Sequence, residues 1–293
     1  MWLLVVNRYS GRGKYRKKLS EFVDLCESNS INYEVIDEDS AGKTDQILKL
    51  KITSEKVDAV IAFGGDGLVS LCIQSLAKTD IGFSVVPTGT GNDFARTIGT
   101  AKKSVFEIFH SIFEAKPIRM DVALATNQKS SRYFIQVLSV GFDAFVNEFA
   151  NNMKWPKGKI KYTLAMLKLL PKAQNIDFII ESDDHELAIK SMLIAVANGS
   201  TYGGGMRILP NASYDDGLLD LLYVDPVSKF TLLSIFPKVF RGSHVKHRAV
   251  HVLTSKSFDL RGETKSYADG EFIGDLPLKI SVVPAGLKTW ICK

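Results

Sequence analysis

The 293-residue chain has only three cysteines, Cys26, Cys72 and Cys292, and they lie far apart. They show neither metal-ligand spacing nor the even count of a disulfide framework, so they read as reduced thiols and predict a cytoplasmic setting. No uninterrupted apolar run approaches the roughly 20 residues that cross a bilayer. The apolar opening of residues 1–6 is too short for a signal peptide, lacks a basic leader and runs into Asn7, so a first β-strand is expected there. Any membrane contact is therefore expected to be peripheral. Low-complexity tracts and internal repeats are missing as well. Lys and Arg number 37 against 32 Asp and Glu. That excess suits an anionic partner but is too small to suggest nucleic acid. Two familiar phosphate motifs are also lacking. Ala41-Gly42-Lys43-Thr44 imitates the end of a P-loop, yet Asp37 stands where its first glycine belongs, and no stretch completes G-x-G-x-x-G.

What is present is an alternation of strand and helix patterns over the first 120 or so residues. Short apolar runs at 3–7, 33–36, 57–63 and 81–86 predict strands, and 14–28, 44–50 and 67–77 predict helices. Apolar strands alternating with helices imply a parallel sheet covered by helices, a Rossmann-like α/β domain. From about residue 121 the pattern changes. Segments 133–140, 176–181, 187–198, 217–224, 249–254, 257–261 and 278–283 are strand-like and separated by turn residues. Only 155–170 and 229–241 have a helical pattern, which predicts an antiparallel β-sandwich with two inserted helices. The expected domains are 1–121 and 122–293, with room for the last residues to return to the first.

Three glycine-rich turns follow strands of the first domain. These are Asn7-Arg8-Tyr9-Ser10-Gly11-Arg12-Gly13, Gly64-Gly65-Asp66-Gly67 and Pro87-Thr88-Gly89-Thr90-Gly91-Asn92-Asp93-Phe94. Open α/β sheets bind ligands at the carboxyl ends of their strands. Glycine lets backbone N–H groups approach phosphate oxygens, and helix N-termini favour anions. One such loop is as readily a plain tight turn; three on one sheet edge favour phosphate binding. Hydroxyls of Ser10, Thr88 and Thr90 can add hydrogen bonds. Asp66 and Asp93 beside a phosphate would call for a cation or a positioning role.

These turns, together with Asn198, Tyr202-Gly203-Gly204-Gly205-Met206, Asp215-Asp216-Gly217 and Asp269-Gly270-Glu271, resemble the diacylglycerol kinase catalytic-domain family in motif order along nearly the whole chain. That family includes bacterial lipid kinases and sphingosine and ceramide kinases, with NAD kinases as distant relatives. The unbroken Gly-Thr-Gly-Asn-Asp-Phe-Ala-Arg from Gly89 is similar to the bacterial diacylglycerol-kinase-like branch. The resemblance implies ATP and Mg²⁺ as cofactors and a lipid hydroxyl as acceptor, diacylglycerol first. Asn7, Ser10, Gly11, Gly13, Gly64, Gly65, Gly67, Thr88, Gly89, Thr90, Asn92 and Asp93 would surround the nucleotide, with Asp66 near the catalytic Mg²⁺. Glu271 would be the general base, although Asp269-Gly270-Glu271 taken alone reads as a solvated hairpin turn. By the same resemblance Asp216, with backbone carbonyls of Ser213 and Leu218, would hold a second Mg²⁺; the plain alternative is again a hairpin turn. A non-catalytic binder, or a kinase for a sphingoid base or NAD, are the competing readings.

Departures from the family pattern are Arg8 for a proline, Leu68 for a threonine, Leu71 for a glutamate, and the acidic residues 37–39 where a threonine is common.

Residues 155–170 read as a helix with Pro156 in its first turn and Pro171 at its end. Lys157, Lys161 and Lys168 share a narrow face and apolar residues cover the rest. The pattern suits equally an interfacial helix on anionic lipid and a helix packed on a sheet. Arg241, His244, Lys246, His247 and Arg248 form a second basic segment. A monomer and a homodimer are both compatible with the sequence.

Overall fold

The computed structural model describes every residue except 154, 156–158 and 184. The chain divides into two compact units, residues 1–120 with 285–293, and residues 121–284.

In the first unit the order is β1 (Trp2–Val6), α1 (Lys14–Ser28), β2 (Tyr33–Ile36), α2 (Ala41–Ser54), β3 (Ala59–Gly64), α3 (Asp66–Leu76), β4 (Gly82–Pro87), α4 (Asp93–Thr97) and α5 (Val105–Phe113). The strands run parallel in the order β2-β1-β3-β4. Lys288 and Thr289 pair beside Gly82 and Phe83, so the last residues of the chain extend this sheet at the β4 edge. β1, β3 and β4 are buried along their whole length, which is why they read as continuous apolar runs without alternation. Trp2, Leu4, Val6, Ala59, Ile61 and Phe63 meet Phe22 of α1 and Ile108 and Phe109 of α5 in one core. The Phe22 ring meets Phe63 and Phe109 edge-on, with centroids 5.4 and 5.3 Å apart. Each such ring contributes about 1.5–3 kcal/mol by burial. Helix α5 was not expected, although Ser104 and Glu107 form a reciprocal capping box at its start.

The second unit contains β5 (Ile118–Thr126, whose first residues lie in unit one), β6 (Ser131–Phe134), β7 (Val137–Gly141), α6 (Phe142–Asn152), α7 (Lys159–Leu169), β8 (Ile176–Ser182), β9 (Glu186–Ser191), β10 (Leu193–Ala197) and β11 (Leu219–Val224). It continues through α8 (Lys229–Val239), β12 (Val250–Ser255), β13 (Ser257–Arg261), β14 (Lys265–Ala268), β15 (Glu271–Asp275) and β16 (Leu278–Thr289), the last crossing back at residue 285. One antiparallel sheet has the order β12-β11-β10-β7-β14-β15, and the other runs β16-β13-β8-β9 with the β5–β6 pair. Leu138, Val140, Ile194, Val196, Leu219 and Leu221 from the first sheet share a core with Phe178, Ile180, Phe258, Leu260 and Ile280 from the second. The architecture is therefore a β-sandwich. The alternate residues Val137, Ala195, Ala197, Leu222 and Val224 face the opposite side, where Val239 of α8 covers them. Strand period two decides this division.

Two expectations are corrected here. Residues 187–198 are not one strand: Ser191 accepts the N–H of Leu193 and donates to the carbonyls of Leu193 and Val224, and the chain turns there into a different sheet. The inserted helices number three among the described residues, because α6 follows β7 directly. Its N-cap is Gly141 at positive φ (73°), which supplies no side-chain cap to signal the start. Pro156 and Lys157 lie outside the described residues. Among those that are described, no helix is long and apolar enough to cross a membrane.

Candidate active site

The parallel order of β1, β3 and β4 brings their carboxyl ends together. Asn7 donates its N–H to the Phe63 carbonyl (3.1 Å), and Thr88 and Gly89 donate theirs to the Gly64 carbonyl (2.9 and 3.3 Å). All three glycine-rich turns thus meet at one edge. Asn7 Oδ1 accepts the Tyr9 N–H (3.0 Å) and closes the first turn. Thr88 Oγ1 donates to Ser10 Oγ at 2.8 Å, tying the first turn to the third. Gly11 is left-handed (φ 63°), and a Cβ there would stand 2.5 Å from the Thr88 carbonyl oxygen. Gly13 begins α1 in the same backbone region. A second close approach joins the second turn to the third: a Cβ on Gly89 would come 2.7 Å from Gly65 Cα, and one on Gly65 would come 3.1 Å from Gly89 Cα. Two backbones this close leave their amide edges bare of side chain, the form a phosphate cradle requires. Thr90 is exposed at this rim and Gly67 lies in the first turn of α3.

Asp66 sits at the start of α3 with its carboxylate under the 92–94 turn. Its Oδ1 accepts the Asp93 N–H at 2.7 Å, and a Cβ on Gly91 would strike its Oδ2 at 2.1 Å. Burial, then the neighbouring Asp93 charge, push the Asp66 carboxyl up to about 6, while the amides of Asp93, Asn92 and Phe94 pull it down. Asp93 is itself buried and pairs with Arg96 at 2.9 Å. Asn92, left-handed at φ 57°, donates Nδ2 to the Gly89 carbonyl (2.9 Å). A cation bound beside two carboxylates this close would relieve their repulsion, which suits Mg²⁺ at Asp66.

The departures from the family pattern also acquire a structural sense. Arg8 donates Nε to Asp37 Oδ1 at 2.7 Å, so two of them form one ion pair. Leu68 is buried, its side chain lying against Gly64, where a Cβ would meet Leu68 Cδ2 at 2.7 Å.

In the second unit, Glu271 opens β15 with its side chain exposed, after the left-handed pair Asp269 (φ 49°) and Gly270 (φ 84°). Within the 213–218 turn, Leu218 donates its N–H to Asp216 Oδ1 (3.0 Å), and Ser213 bonds to Asp215. Asp121 accepts the Gly217 N–H (2.8 Å) and donates its own N–H to the Tyr214 carbonyl (2.6 Å), fixing the turn. No three His, Cys, Asp or Glu side chains gather for a metal among the described residues. A cation at Ser213, Asp216 and Leu218 would rely on backbone carbonyls and water, an oxygen set that Mg²⁺ accepts.

An apolar cavity that the sequence reading did not anticipate lies between α6, α7, α8 and the sandwich. Phe142, Met166, Met206, Leu222, Phe236 and Val250 are among its lining residues, and its free volume is about 60 Å³. Asp143 is the carboxylate in its wall, accepting from Tyr202 Oη at 2.8 Å. Burial pushes Asp143 up to about 6, while bonds to Tyr202 and Ser139 act in the opposite sense. The Gly-Phe-Asp-Ala that follows β7 was the available signal. His244, predicted as part of a basic surface, is instead buried beside this cavity, donating Nε2–H to the Ile208 carbonyl (2.8 Å). Burial lowers its pKa.

The comparisons with known proteins agree with this two-part fold. A family model described as the diacylglycerol kinase catalytic domain matches residues 1–125, and one described as the YegS C-terminal NAD kinase beta sandwich-like domain matches residues 136–291. A diacylglycerol kinase of Mycobacterium tuberculosis (strain H37Rv) is 37% identical over 234 residues, covering 79% of this chain and 76% of its own. The chain belongs to the diacylglycerol kinase catalytic-domain family. A diacylglycerol kinase of Bacillus subtilis (strain 168) is 24% identical over 281 residues, 94% of this chain and 90% of that one. The crystal structure of a diacylglycerol kinase from Bacillus anthracis str. Sterne superimposes with a TM-score of 0.77 at 22% identity, covering 100% of this chain and 96% of the other. The first unit carries the catalytic-domain match and the second the sandwich match.

Proposed function

We propose that this diacylglycerol-kinase family member transfers the γ-phosphoryl group of ATP to a lipid hydroxyl, with diacylglycerol the acceptor and phosphatidic acid the product. The convergence of residues 7–13, 64–67 and 87–93 on one sheet edge carries this reading. The Gly65–Gly89 approach leaves backbone bare of side chain for the phosphates to reach, and Ser10, Thr88 and Thr90 add hydroxyls. Mg²⁺, when bound, would supply positive charge that offsets the phosphate oxygens, with Asp66 near the phosphates and Ser213, Asp216 and Leu218 at a second position. Glu271 takes the acceptor's proton, the acceptor oxygen bonds to phosphorus, and the bond from phosphorus to the bridging oxygen of ADP breaks.

A lipid acceptor is supported by the apolar cavity and by α7. Ala165 and Met166 of α7 pack inward, whereas Ile160, Leu164 and Leu167, one helical stripe, are exposed next to Lys168. Trp155 is 80% exposed. An apolar outer stripe edged by lysine suits peripheral contact with anionic lipid. Labelled-phosphate transfer from Mg·ATP to diacylglycerol in mixed micelles tests the reaction. Glu271→Gln is expected to lower kcat by at least ~10²-fold, the scale of general-base catalysis. Turnover close to the parent would remove Glu271 as the base, and product from no lipid in an extracted pool would overturn the reaction.

A further inference from the structure

We propose that Asp269 is a positioning residue for Glu271, acting through its negative charge and not through the turn it forms. The inference rests on the proposed phosphoryl transfer with Glu271 as base. Strands β14 and β15 are joined by the two-residue turn Asp269-Gly270, both residues left-handed. A turn of this kind accepts Asn-Gly as readily as Asp-Gly, and asparagine tolerates the left-handed region as well as aspartate does. The turn alone therefore gives no reason for a carboxylate.

The carboxylate has a different task. Its Oδ2 accepts the N–H of Ile135 at 2.7 Å, and its Oδ1 accepts those of Gln136 (3.0 Å) and Val137 (3.2 Å). Three successive amides leading into β7 thus converge on one side chain, a cluster of charge-assisted bonds. The Asp269 N–H returns to the Val137 carbonyl at 3.0 Å. This anchoring segment is itself fixed. The buried Asn198 donates Nδ2 to the carbonyls of Ile135 and Asp121 (both 3.0 Å), and the N–H groups of Asn198 and Gly199 both reach the Gln136 carbonyl at 3.0 Å. From the other side, Asn151 at the end of α6 donates Nδ2 to the Gly270 carbonyl at 2.7 Å. The backbone immediately before the exposed Glu271 is therefore held from two directions. A general base must be placed to within a fraction of an ångström, and a misplacement of about 1 Å costs ~10²-fold in rate.

Asp269→Asn separates the two roles. It keeps the turn, but an amide offers one accepting oxygen where the carboxylate offers two, so part of the three-amide anchor is lost. The expected result is a kcat lower by roughly 10- to 100-fold with KM for ATP changed by less than about twofold. Because Asp269 acts through Glu271, the double variant Asp269→Asn/Glu271→Gln, read by single-turnover transfer of labelled phosphate, should be no slower than Glu271→Gln alone. An unchanged kcat in Asp269→Asn overturns the proposal. So does a double variant slower than Glu271→Gln by the full factor of the single change, which would mean that Asp269 acts independently of the base. Should Asp269→Asn fail to fold, Asn151→Ala loosens the same turn from the surface side of α6 and is read in the same cycle, with a smaller loss of kcat that also vanishes in the Glu271→Gln background. An additive Asn151→Ala effect, or none, overturns the proposal too. If Glu271→Gln itself turns over like the parent, the base assignment falls first and the Asp269 proposal falls with it, an outcome distinct from additivity.

Discussion

Replacing Asp143 by Asn changes one titrating group in the wall of an apolar cavity while leaving an oxygen to accept from Tyr202. Burial raises the Asp143 carboxyl from 3.8 to about 6. The folded chain therefore holds a proton there that the unfolded chain releases between about pH 4 and 6. Folding takes up that proton, so stability falls as pH rises through the window, and the loss is complete above about pH 6. At about 1.36 kcal/mol for each pKa unit, the full effect is about 3 kcal/mol. Asp143 as a residue is only partly buried, and solvent screening brings the expected figure nearer to about 2 kcal/mol. Asp143→Asn does not titrate, so its stability relative to the parent should improve by that amount between about pH 3 and pH 7.5, with about half of the gain falling above pH 4.5. Asp66, also raised to about 6, contributes equally to both proteins and cancels in the comparison. Urea unfolding followed by intrinsic fluorescence at several pH values reads the difference. A difference between the two proteins that does not vary with pH would refute the desolvation argument, as would one that grows toward acid.

Three further outcomes follow from the geometry. Gly89→Ala places a methyl group 2.7 Å from Gly65 Cα and must push two turns apart, at a cost of about 1–3 kcal/mol; ATP affinity measured by calorimetry should fall at least about 10-fold, and unchanged affinity would separate these turns from the nucleotide. Leu68→Thr removes a buried apolar side chain from over Gly64 and should lower unfolding stability by about 1–2 kcal/mol; a stability gain would show that the leucine is not packing there. Charging the outer stripe of α7 with Ile160→Glu and Leu167→Glu should reduce co-sedimentation with anionic vesicles while leaving the melting temperature nearly unchanged, and undiminished co-sedimentation would move the membrane contact elsewhere.

Some of this protein could be read directly from its residues. The continuous apolar runs of β1, β3 and β4 announce a sheet buried on both faces, and glycines at their ends announce close backbone approach, because both signals are local in the chain. Period-two patterning likewise revealed the antiparallel half. Helix α6 escaped because Gly141 caps it without a side chain, and the 187–198 segment was misjudged because a strand that changes sheets keeps its apolar composition through the bend. The tertiary structure alone decided which distant groups meet. The pairing of Arg8 with Asp37, the burial of His244, the cavity around Asp143 and the three amides gathered on Asp269 all join residues remote in sequence. Periodicity records which side of an element is wet or dry; it carries no record of which partner waits across the core, because that depends on how the elements pack.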